Sequence, residues 1–583
     1  MIRRLLVANR GEIAVRIIRA CAELGIESVA VYSTADAKAP HVAAATHAVA
    51  IGPAPARDSY LSTTTLIDAA RSSGADAIHP GYGFLSENAA FAGACAAAGL
   101  VFVGPPADVI AQMGSKINAR RLVSAAGVPV VPGETPDDQS DRGIRRAIER
   151  IGLPALIKAS AGGGGKGMRH VLEPSTIDES IQGARREAAA AFNDGTLYVE
   201  RLIAHPRHVE VQIFADDHGQ VLHLFERDCS TQRRHQKVIE ESPSPALTPA
   251  LRAGMTEAAV AAARAARYRN AGTIEFIVEG SAFYFLEMNT RLQVEHPVTE
   301  QVTGLDLVRA QILVANGEPL PWTQPQITQR GHAIEARLYA EDPAQGFLPQ
   351  AGPLTRYREP QRPGIRVDSG VVEGGEVSVY YDPMIAKVIA TAETRALAIA
   401  RLAAALREFD VAGITTNRTF LLAVLESDAF RDGSIDTAYL DREGAAIAEA
   451  VGRQPSRSVQ STINPQSIVN PQSAINLQSA IRNPQSQYDP WSGASVTAAK
   501  PHAASARKRA STAAAALIAP MPATVIKVNV KAGDAVKQGD IVVVLEAMKM
   551  ELPLRALGDG VVSAVRCTAG ELVQADASLV EFA

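Results

Sequence analysis

A glycine-rich segment with two lysines is the first feature of the sequence that could carry out chemistry. Residues 158–167 read KASAGGGGKG and directly follow an apolar run at 153–157. Successive glycines let backbone N–H groups approach phosphate oxygens closely, and the lysines add positive charge. A flexible turn is the plainer interpretation, but four glycines between lysines after a strand favour phosphate binding. The segment matches neither GxxxxGK[ST] nor GxGxxG, so a different nucleotide-binding fold is expected.

Acidic and amide side chains cluster on and just after two later apolar runs. Glu275 lies in the first run, Glu287 and Asn289 end the second, and Arg291 and Glu295 follow. Carboxylate and amide oxygens are ligands for a Mg²⁺ ion that also holds nucleotide phosphates. Arg291 and Glu295 then add a fixed cation and a possible base. An isolated acid at a strand edge is as often solvated as functional, so the prediction rests on the cluster and not on Glu275 alone.

A single lysine lies at the midpoint of an internal repeat near the end of the sequence. KAGD at 531–534 is answered by TAGE at 568–571, and EAMKM at 546–550 lies between them. Two similar halves built from short strands predict a flattened β-barrel. The central hairpin of that barrel is predicted to project Lys549.

The elements around the first two clusters predict an α/β organisation for residues 1–445. Near the start, apolar runs at 5–8 and 28–32 enclose a helical pattern at 13–24, which is typical of a doubly wound parallel sheet. Helices are predicted between several of the later strands. These strands are predicted at 153–159, 209–215, 221–226, 273–278 and 282–288.

The composition changes sharply after residue 452. NPQS occurs at 464, 470 and 483, with NLQS at 476, and an Ala-, Ser- and Lys-rich stretch follows to residue 515. The near six-residue period could indicate a small β-solenoid, but so few short repeats cannot bury a core. We therefore predict a flexible linker over 446–516, whose role is reach.

Composition excludes several classes of function. With 583 residues the chain is too long for one core, so about two to four domains are expected. A net charge of −4 with interspersed acids and bases gives no case for a nucleic-acid or membrane partner. No eighteen-residue apolar stretch and no signal peptide are found. Neither a disulfide framework nor a thiolate zinc site is expected, and a reducing cytoplasm is favoured, because no CxxC pair occurs among Cys21, Cys95, Cys229 and Cys567.

Over essentially all of residues 1–445, these motifs resemble the biotin carboxylase branch of the ATP-grasp enzymes. Further matching segments are HPGYGFLSEN at 79–88, GSK at 114–116, RDCSTQRRHQK at 227–237 and EAR at 335–337. EAMKM resembles the biotinylation motif of biotin carrier domains, in which the lysine is joined to biotin through an amide. The resemblance implies an α/β multidomain protein with a Rossmann-like N-terminal domain at 1–115, an ATP-grasp domain at 116–330, an α+β C-terminal domain at 331–445 and an all-β biotinyl carrier domain at 517–583.

Position by position, the resemblance implies binding sites for ATP, a metal and bicarbonate. Glu295 would deprotonate bicarbonate, Arg337 would stabilise the biotin enolate, and Lys549 would carry biotin. Mg²⁺ or Mn²⁺ would face Glu275, Glu287 and Asn289, and bicarbonate would lie against Lys237, Arg291 and the backbone of Val294. ATP would be bound at its phosphates by Lys116, Lys158, Gly164 and Gly165, at its adenine by Glu200 and Ile203, and elsewhere in the pocket by His208 and His235.

The implied function is ATP-dependent carboxylation of biotin on Lys549 through carboxyphosphate. Nothing after residue 445 is large enough for a carboxyltransferase, so a separate carboxyltransferase (β) subunit is expected to complete the reaction on an acyl-CoA. The NPQS segment does not resemble the docking domain of longer α subunits. Other expected partners are bicarbonate, a biotin protein ligase and further copies of the chain within a larger complex.

Three alternatives stay open at this point. The biotin carboxylase subunit of a two-subunit pyruvate carboxylase, or of another biotin enzyme, would have the same sequence features because the partner chooses the acceptor. A lipoyl carrier shares the hairpin fold, but Met548 and Met550 on either side of Lys549 favour biotin, and both are expected to present the lysine to the ligase. A non-catalytic scaffold that binds ATP and biotin is disfavoured by the intact set Lys237, Arg291, Glu295 and Arg337.

Overall fold

The structure, a computed structural model, describes residues 1–160, 167–192, 194–452, 516–548 and 550–583. The glycine-rich loop at 161–166, most of the predicted linker and Lys549 lie outside the described residues. The predictions for Gly164, Gly165, Lys549 and the linker therefore stay predictions. Within the described ranges, no helix is both long and apolar enough to cross a membrane.

The N-terminal region forms the doubly wound domain that the sequence predicts. Its sheet has the order β3-β2-β1-β4-β5, and every strand pair is parallel. Helix α1 packs on this sheet through Ile13 and Ile17, which are four residues apart and so share one face of the helix. The elements are β1 Arg4–Val7, α1 Gly11–Glu23, β2 Glu27–Tyr32, α2 Pro40–Ala44, β3 His47–Ala50, α3 Thr63–Ser73, β4 Ala77–His79, α4 Ala89–Ala97, β5 Val101–Phe102 and α5 Ala107–Gly114.

The central region is built on two sheets. A four-stranded sheet, with the order β6-β9-β7-β8, brings together the strands on either side of the glycine-rich loop. The second sheet contains β10 to β14 and faces the first across the candidate site. The elements are α6 Lys116–Ala125, β6 Gly133–Glu134, α7 Asp141–Ile151, β7 Ala155–Ala159, β8 Arg169–Val171, α8 Ile177–Phe192, β9 Leu197–Arg201, β10 Arg207–Ala215, β11 Val221–Arg233, β12 Gln236–Ser242, α9 Pro249–Ala265, β13 Asn270–Glu279, β14 Ala282–Asn289, α10 His296–Thr303 and α11 Leu307–Ala315.

The second sheet continues across the predicted boundary at residue 330. Its order is β14-β13-β10-β11-β12-β15-β22-β20, and each pairing is antiparallel. Strand β15 joins the two regions by pairing with β12, for example Ile239 opposite Ala336. The elements after residue 330 are β15 His332–Tyr339, β16 Glu341–Asp342, β17 Leu348–Pro349, β18 Gly352–Pro353, β19 Arg356–Arg358, β20 Ile365–Ser369, β21 Glu376–Val377, β22 Met384–Ala392, α12 Arg395–Glu408, β23 Asp410–Ala412, α13 Arg418–Glu426, α14 Asp428–Arg431 and α15 Tyr439–Gly452.

Strand β11 is longer than the sequence predicts. The apolar pattern ends at 226, whereas the strand runs from Val221 to Arg233. Residues 227–233 are polar or small, yet every one of them is buried. The side chains of Arg227, Asp228, Ser230 and Arg233 have partners inside the protein. A pattern that equates polar residues with solvent therefore ends the strand too early.

The carrier region is a small sandwich of two four-stranded antiparallel sheets, with the orders β24-β31-β29-β26 and β28-β27-β25-β30. The internal repeat is visible in its turns. Gly533 and Gly570 both have φ near +90° and donate backbone N–H bonds to Val562 and Val525 in the opposite halves. The strands are β24 Ala516–Ile518, β25 Ala523–Val528, β26 Ala535–Val536, β27 Ile541–Ala547, β28 Met550–Arg555, β29 Gly560–Val565, β30 Leu572–Val573 and β31 Ser578–Phe582.

Candidate functional site

The candidate site is a cavity of about 1040 Å³ lined by residues from the N-terminal, central and C-terminal regions. A cavity of this size and polarity can enclose a nucleotide together with a second small substrate. Every predicted site residue that the structure describes lines it, namely Lys116, Lys158, Glu200, Ile203, His208, His235, Lys237, Glu275, Glu287, Asn289, Arg291, Val294, Glu295 and Arg337. The structure therefore brings the predicted residues together, while their individual roles stay predictions.

A row of charged residues crosses four strands of the large sheet. Glu287, Glu275, Glu210 and Arg227 lie directly opposite one another on β14, β13, β10 and β11, so they share one face. Arg227 is fully buried, and its Nε donates to Glu210 at 2.6 Å. Three acids beside one another are stable only with nearby cations, and Arg227 neutralises one end of the row.

Glu295 is buried between two cations. Lys237 Nζ donates to Glu295 Oε1 at 2.6 Å, and Arg337 Nη2 donates to Oε2 at 3.0 Å. Burial disfavours the charged carboxylate, but Lys237, Arg337 and Arg227 outweigh it and hold the pKa of Glu295 well below its usual value. The side chain is therefore an ionised acceptor that is fully buried.

Lys237 connects this carboxylate to the acid row. Its Nζ also donates to Glu210 at 2.7 Å and to Glu275 at 3.0 Å. Burial lowers the pKa of a lysine, but the surrounding acidic groups outweigh it and raise the pKa of Lys237 well above its usual value. Lys237 is thus a fixed positive charge at the centre of the site.

Glu275, Glu287 and Asn289 form a donor set that fits a divalent metal. Glu275 and Glu287 are directly opposite on neighbouring strands, where two carboxylates repel each other. Burial and the charge of Glu275 raise the pKa of Glu287. The Asn289 amide nitrogen donates to Glu275 Oε1 at 2.8 Å, and the Asn289 amide oxygen accepts from Arg291 Nη2 at 3.0 Å, so Asn289 belongs to the same cluster. A hard cation would relieve the repulsion, and these oxygens are the ligands Mg²⁺ accepts.

Lys116 and Lys158 form a second group of cations in the cavity wall. Lys158 Nζ pairs with Glu200 Oε2 at 2.6 Å, and Arg120 also donates to Glu200. The Glu200 carboxylate therefore holds Lys158 in place. Burial lowers the pKa of Lys116. Ile203, the predicted adenine contact, is buried nearby in the cavity wall.

Arg291 and Val294 lie on the loop between β14 and α10. Arg291 donates to Asn289 Oδ1 at 3.0 Å and to Glu87 Oε2 at 2.9 Å, and Glu87 belongs to the HPGYGFLSEN segment. The Val294 carbonyl accepts a bond from Lys387 at 3.0 Å. Both contacts fix the loop that ends at Glu295, so the predicted base and bicarbonate contacts share one rigid backbone segment.

Known proteins match the N-terminal, central and C-terminal regions that line the cavity. Biotin carboxylase 2 of Bacillus subtilis (strain 168) is 51% identical over 441 residues, which are 76% of this chain and 99% of that protein. The chain belongs to the biotin carboxylase family. The family domains that match are "Biotin carboxylase, N-terminal domain" at 1–110, "Carbamoyl-phosphate synthase L chain, ATP binding domain" at 115–323, "Biotin carboxylase C-terminal domain" at 335–442 and "Biotin-requiring enzyme" at 515–582.

A second group of relatives is longer than this biotin carboxylase. The mitochondrial methylcrotonoyl-CoA carboxylase subunit alpha of Glycine max is 54% identical over 442 residues, which are 76% of this chain and 60% of that protein. The chain thus spans about 60% of the length of these relatives. It joins a biotin carboxylase to a biotin carrier domain.

Solved structures of biotin carboxylases share the fold. A biotin carboxylase–β,γ-ATP complex from Campylobacter jejuni matches with a TM-score of 0.74 at 44% identity, covering 76% of this chain and 99% of that one. The biotin carboxylase domain of 2-oxoglutarate carboxylase from Hydrogenobacter thermophilus matches with a TM-score of 0.73 at 43% identity, covering 77% and 99%. The latter was solved with MgADP, ADP and bicarbonate.

Sequence reasoning missed several charged residues of this biotin carboxylase site. Glu210 and Gln212 alternate with apolar residues in β10, and both are fully buried. Glu240 in β12 is also buried and accepts from Arg337 Nε at 2.6 Å. A charged or amide side chain at every second position of an otherwise apolar strand is the signal that could have identified them.

Proposed function

We propose that this chain is the biotin carboxylase and biotin carrier subunit of a two-component carboxylase, in which ATP and bicarbonate carboxylate biotin attached to Lys549. The observation that carries the proposal is the ion-pair chain Lys237–Glu295–Arg337 at the centre of the cavity. It provides an ionised carboxylate that is free of a proton and can accept one from bicarbonate, and two cations that can stabilise an anionic acceptor.

The proposed reaction begins when Glu295 removes the proton of bicarbonate. The freed oxygen attacks the γ-phosphorus of ATP, the bond to the β-phosphate oxygen breaks, and carboxyphosphate and ADP form. Lys116 and Lys158 neutralise charge on the transferred phosphoryl group. Glu275, Glu287 and Asn289 would hold Mg²⁺ or Mn²⁺, which when bound neutralises phosphate charge.

Carboxyphosphate then breaks into CO₂ and phosphate within the enclosed cavity. Phosphate accepts the ureido N–H proton of biotin, and the nitrogen attacks the carbon of CO₂ to give carboxybiotin. Negative charge that develops on the ureido oxygen is compensated by Arg337, which is held by Glu240 and Glu295. Exclusion of water protects CO₂ and the activated biotin.

The test is bicarbonate- and biotin-dependent ATP cleavage by the purified chain, prepared without attached biotin so that free biotin is the only acceptor. We expect ADP to form only when bicarbonate, biotin and Mg²⁺ are all present, and we expect chelation of the metal to stop the reaction. ADP and phosphate release is measured with each component omitted in turn. ATP cleavage that is indifferent to bicarbonate would contradict the proposal.

A contact between the carrier and the carboxylase supports biotin on this chain as the acceptor. The backbone N–H of Met548 donates to the Val379 carbonyl at 3.0 Å, and the Met548 side chain is only 2% exposed. It joins the apolar cluster of the C-terminal region, which includes Val377 and Ile385. Tyr381 and Asp382, just after Val379, line the cavity. The hairpin tip thus lies beside the cavity, with the predicted biotinylated lysine next in sequence.

Replacing Met548 with alanine is expected to slow ATP cleavage driven by the attached biotin about tenfold, because an interface loses its buried apolar anchor. Met550 is the matched control, since it flanks the same lysine but remains half-buried on β28. Both variants are first verified as fully biotinylated by mass spectrometry. Equal rates for Met548→Ala and Met550→Ala, with biotin attached, would count against a docking role for Met548.

We propose a separate carboxyltransferase as the partner, together with a biotin protein ligase, bicarbonate and further copies of this chain. The similar proteins belong to methylcrotonoyl-CoA carboxylase, pyruvate carboxylase and 2-oxoglutarate carboxylase, which are named for different acceptors. Their biotin carboxylase parts are nevertheless all similar to this chain. The carboxyltransferase partner is therefore expected to determine the final carboxyl acceptor. We favour an acyl-CoA as the acceptor because the methylcrotonoyl-CoA carboxylase subunits reach 54% identity with this chain. Identifying the carboxyltransferase that co-purifies with the chain distinguishes an acyl-CoA acceptor from pyruvate.

We also propose the cytoplasm as the compartment, on the basis of thiol chemistry. The four cysteines are buried free thiols in the structure, without a disulfide between any two of them. Thiols in this state suit a reducing environment.

A further inference from the structure

Lys387 is a fully buried lysine in the middle of an otherwise apolar strand. Strand β22 reads MIAKVIATA, and Lys387 is 0% exposed. Removing an ammonium group from water is costly unless fixed partners surround it. Packing alone therefore does not explain a lysine in the centre of this strand, and the partners of Lys387 indicate what its role is.

The partners of Lys387 come from three regions of the chain. Its Nζ donates to the Val294 carbonyl at 3.0 Å in the loop before Glu295. It lies 3.2 Å from Glu12 Oε2 at the start of α1 and 3.8 Å from Asp368 Oδ2 on β20. The N-terminal, central and C-terminal regions thus meet at one ammonium group.

Lys387 also belongs to the same face of the sheet as the predicted catalytic arginine. Arg337 on β15 and Asp368 on β20 lie directly opposite Lys387 on either side, and directly opposite residues share a face. Arg337 reaches Glu295 from one direction, while Lys387 reaches the preceding residue, Val294, from another. The two cations therefore brace consecutive residues of one loop.

The contact with Glu12 depends on a close approach of two regions. A Cβ at Gly370 would lie 2.5 Å from the Glu12 backbone nitrogen, so glycine is required where the C-terminal region meets the start of α1. Burial raises the pKa of Glu12 to about 7, and the charge of Lys387 opposes this shift. Tyr82, which lines the cavity, lies with its ring centroid 5.8 Å from Nζ. Lys387 is thus anchored on the N-terminal region.

We infer that Lys387 is a positioning residue for bicarbonate. Its bond to the Val294 carbonyl fixes the backbone on which Val294 would contact bicarbonate and from which Glu295 acts as the base. The anchor on Glu12 makes this loop geometry depend on the packing of the N-terminal region. The inference rests on the proposed function and adds a residue that touches neither ATP nor bicarbonate.

The experiment measures KM for bicarbonate, KM for ATP and kcat for ATP cleavage by the full chain. In Lys387→Met, the KM for bicarbonate is expected to rise about tenfold or more, as for the loss of one charge-assisted hydrogen bond. The KM for ATP is expected to stay within about twofold, because the partners of Lys387 are Val294, Glu12 and Asp368, whereas Lys158 is held by Glu200. Lys387→Arg, which keeps the charge, is expected to recover part of the bicarbonate affinity.

A buried acid left without its cation could unfold the protein, so the double variant Lys387→Met/Glu12→Gln is included. It removes both charges of the pair and still lacks the bond to Val294, so it is expected to keep the raised KM for bicarbonate while melting close to wild type. Arg366→Met is the matched control. Arg366 pairs with Asp368 and Glu300 in the same ionic cluster, with no bond to the Val294 loop.

A wild-type KM for bicarbonate in the folded double variant would overturn the inference. Parallel rises in both KM values, reproduced by Arg366→Met, would also overturn it, because they would indicate a purely structural role. In either case wild-type ATP cleavage that requires bicarbonate leaves the proposed function standing. Cleavage by the wild type without any need for bicarbonate would overturn both.

Discussion

Replacing Glu295 with glutamine is expected to reduce bicarbonate-dependent ATP cleavage by about 10²–10⁴-fold, the range for loss of a general base. The glutamine keeps the size of the side chain and can still accept a bond from Lys237, but it cannot take a proton from bicarbonate. Because the pKa of Glu295 is held well below its usual value, the wild-type base stays ionised across the neutral pH range. The measurement is the steady-state rate of ADP release at saturating ATP and bicarbonate.

Glu335 offers a matched control for this substitution. It is also fully buried, and neither of its oxygens has a hydrogen-bond partner among the described residues. It lies directly opposite Glu240 on β12, and Glu240 is the acid that pairs with Arg337. Burial raises the pKa of Glu335 well above its usual value and so favours its neutral, protonated form.

A glutamine mimics a protonated carboxyl group, so Glu335→Gln is expected to change the rate by no more than about twofold. The two substitutions are chemically identical and both side chains are fully buried, yet the pKa shifts are opposite. If Glu295→Gln cleaved ATP at the wild-type rate, Glu295 would not be the base. An equal loss in both variants would point to damaged packing of the sheet instead.

Replacing Lys549 with arginine is expected to abolish ATP cleavage that depends on biotin attached to the carrier. The guanidinium group stays protonated and does not form the amide that joins biotin to the carrier, so no biotin is attached. The measurements are the intact mass of the chain after co-expression with a biotin ligase and ATP cleavage without added biotin. We expect no biotin adduct and no bicarbonate-dependent turnover above background.

Lys537→Arg is the control for this change, because Lys537 is an exposed lysine of the same small domain. It is expected to carry biotin and to turn over ATP like the wild type. Free biotin added to Lys549→Arg bypasses the carrier, so restored ATP cleavage would place the defect in biotin attachment. A biotin adduct on Lys549→Arg would contradict the assignment of this lysine.

Taken together, the predicted effects separate three steps of one reaction. In the proposed mechanism, Glu295 would act on bicarbonate, Lys387 would orient the loop that holds it, and Met548 would position the carrier beside the cavity. Each variant has its own readout: ATP turnover, the KM for bicarbonate and the rate with attached biotin. The ion pairs of the large sheet link the first two steps, whereas the third depends on a contact between separate domains.

The sequence by itself determined much of the local structure and most of the site. The alternation of apolar runs and helical patterns predicted the parallel N-terminal sheet because both periodicities are local properties of the chain. Glu275, Glu287, Asn289, Arg291 and Glu295 could be identified because they fall within 21 consecutive residues, on two paired strands and the loop that follows them. The carrier was recognisable from its internal repeat, whose glycine turns need only local backbone conformations.

Only the tertiary structure decided which charged residues from distant parts of the sequence lie close together. Arg227, Glu210 and Lys387 lie far apart in the sequence, and strand pairing across the eight-stranded sheet brings them to one face. The extension of β11 through seven polar or small residues and the burial of Met548 likewise depend on partners elsewhere in the chain. A local pattern assigns polar side chains to solvent, whereas their burial here is stabilised by ion pairs and hydrogen bonds that form only when long-range pairing places the partners within reach.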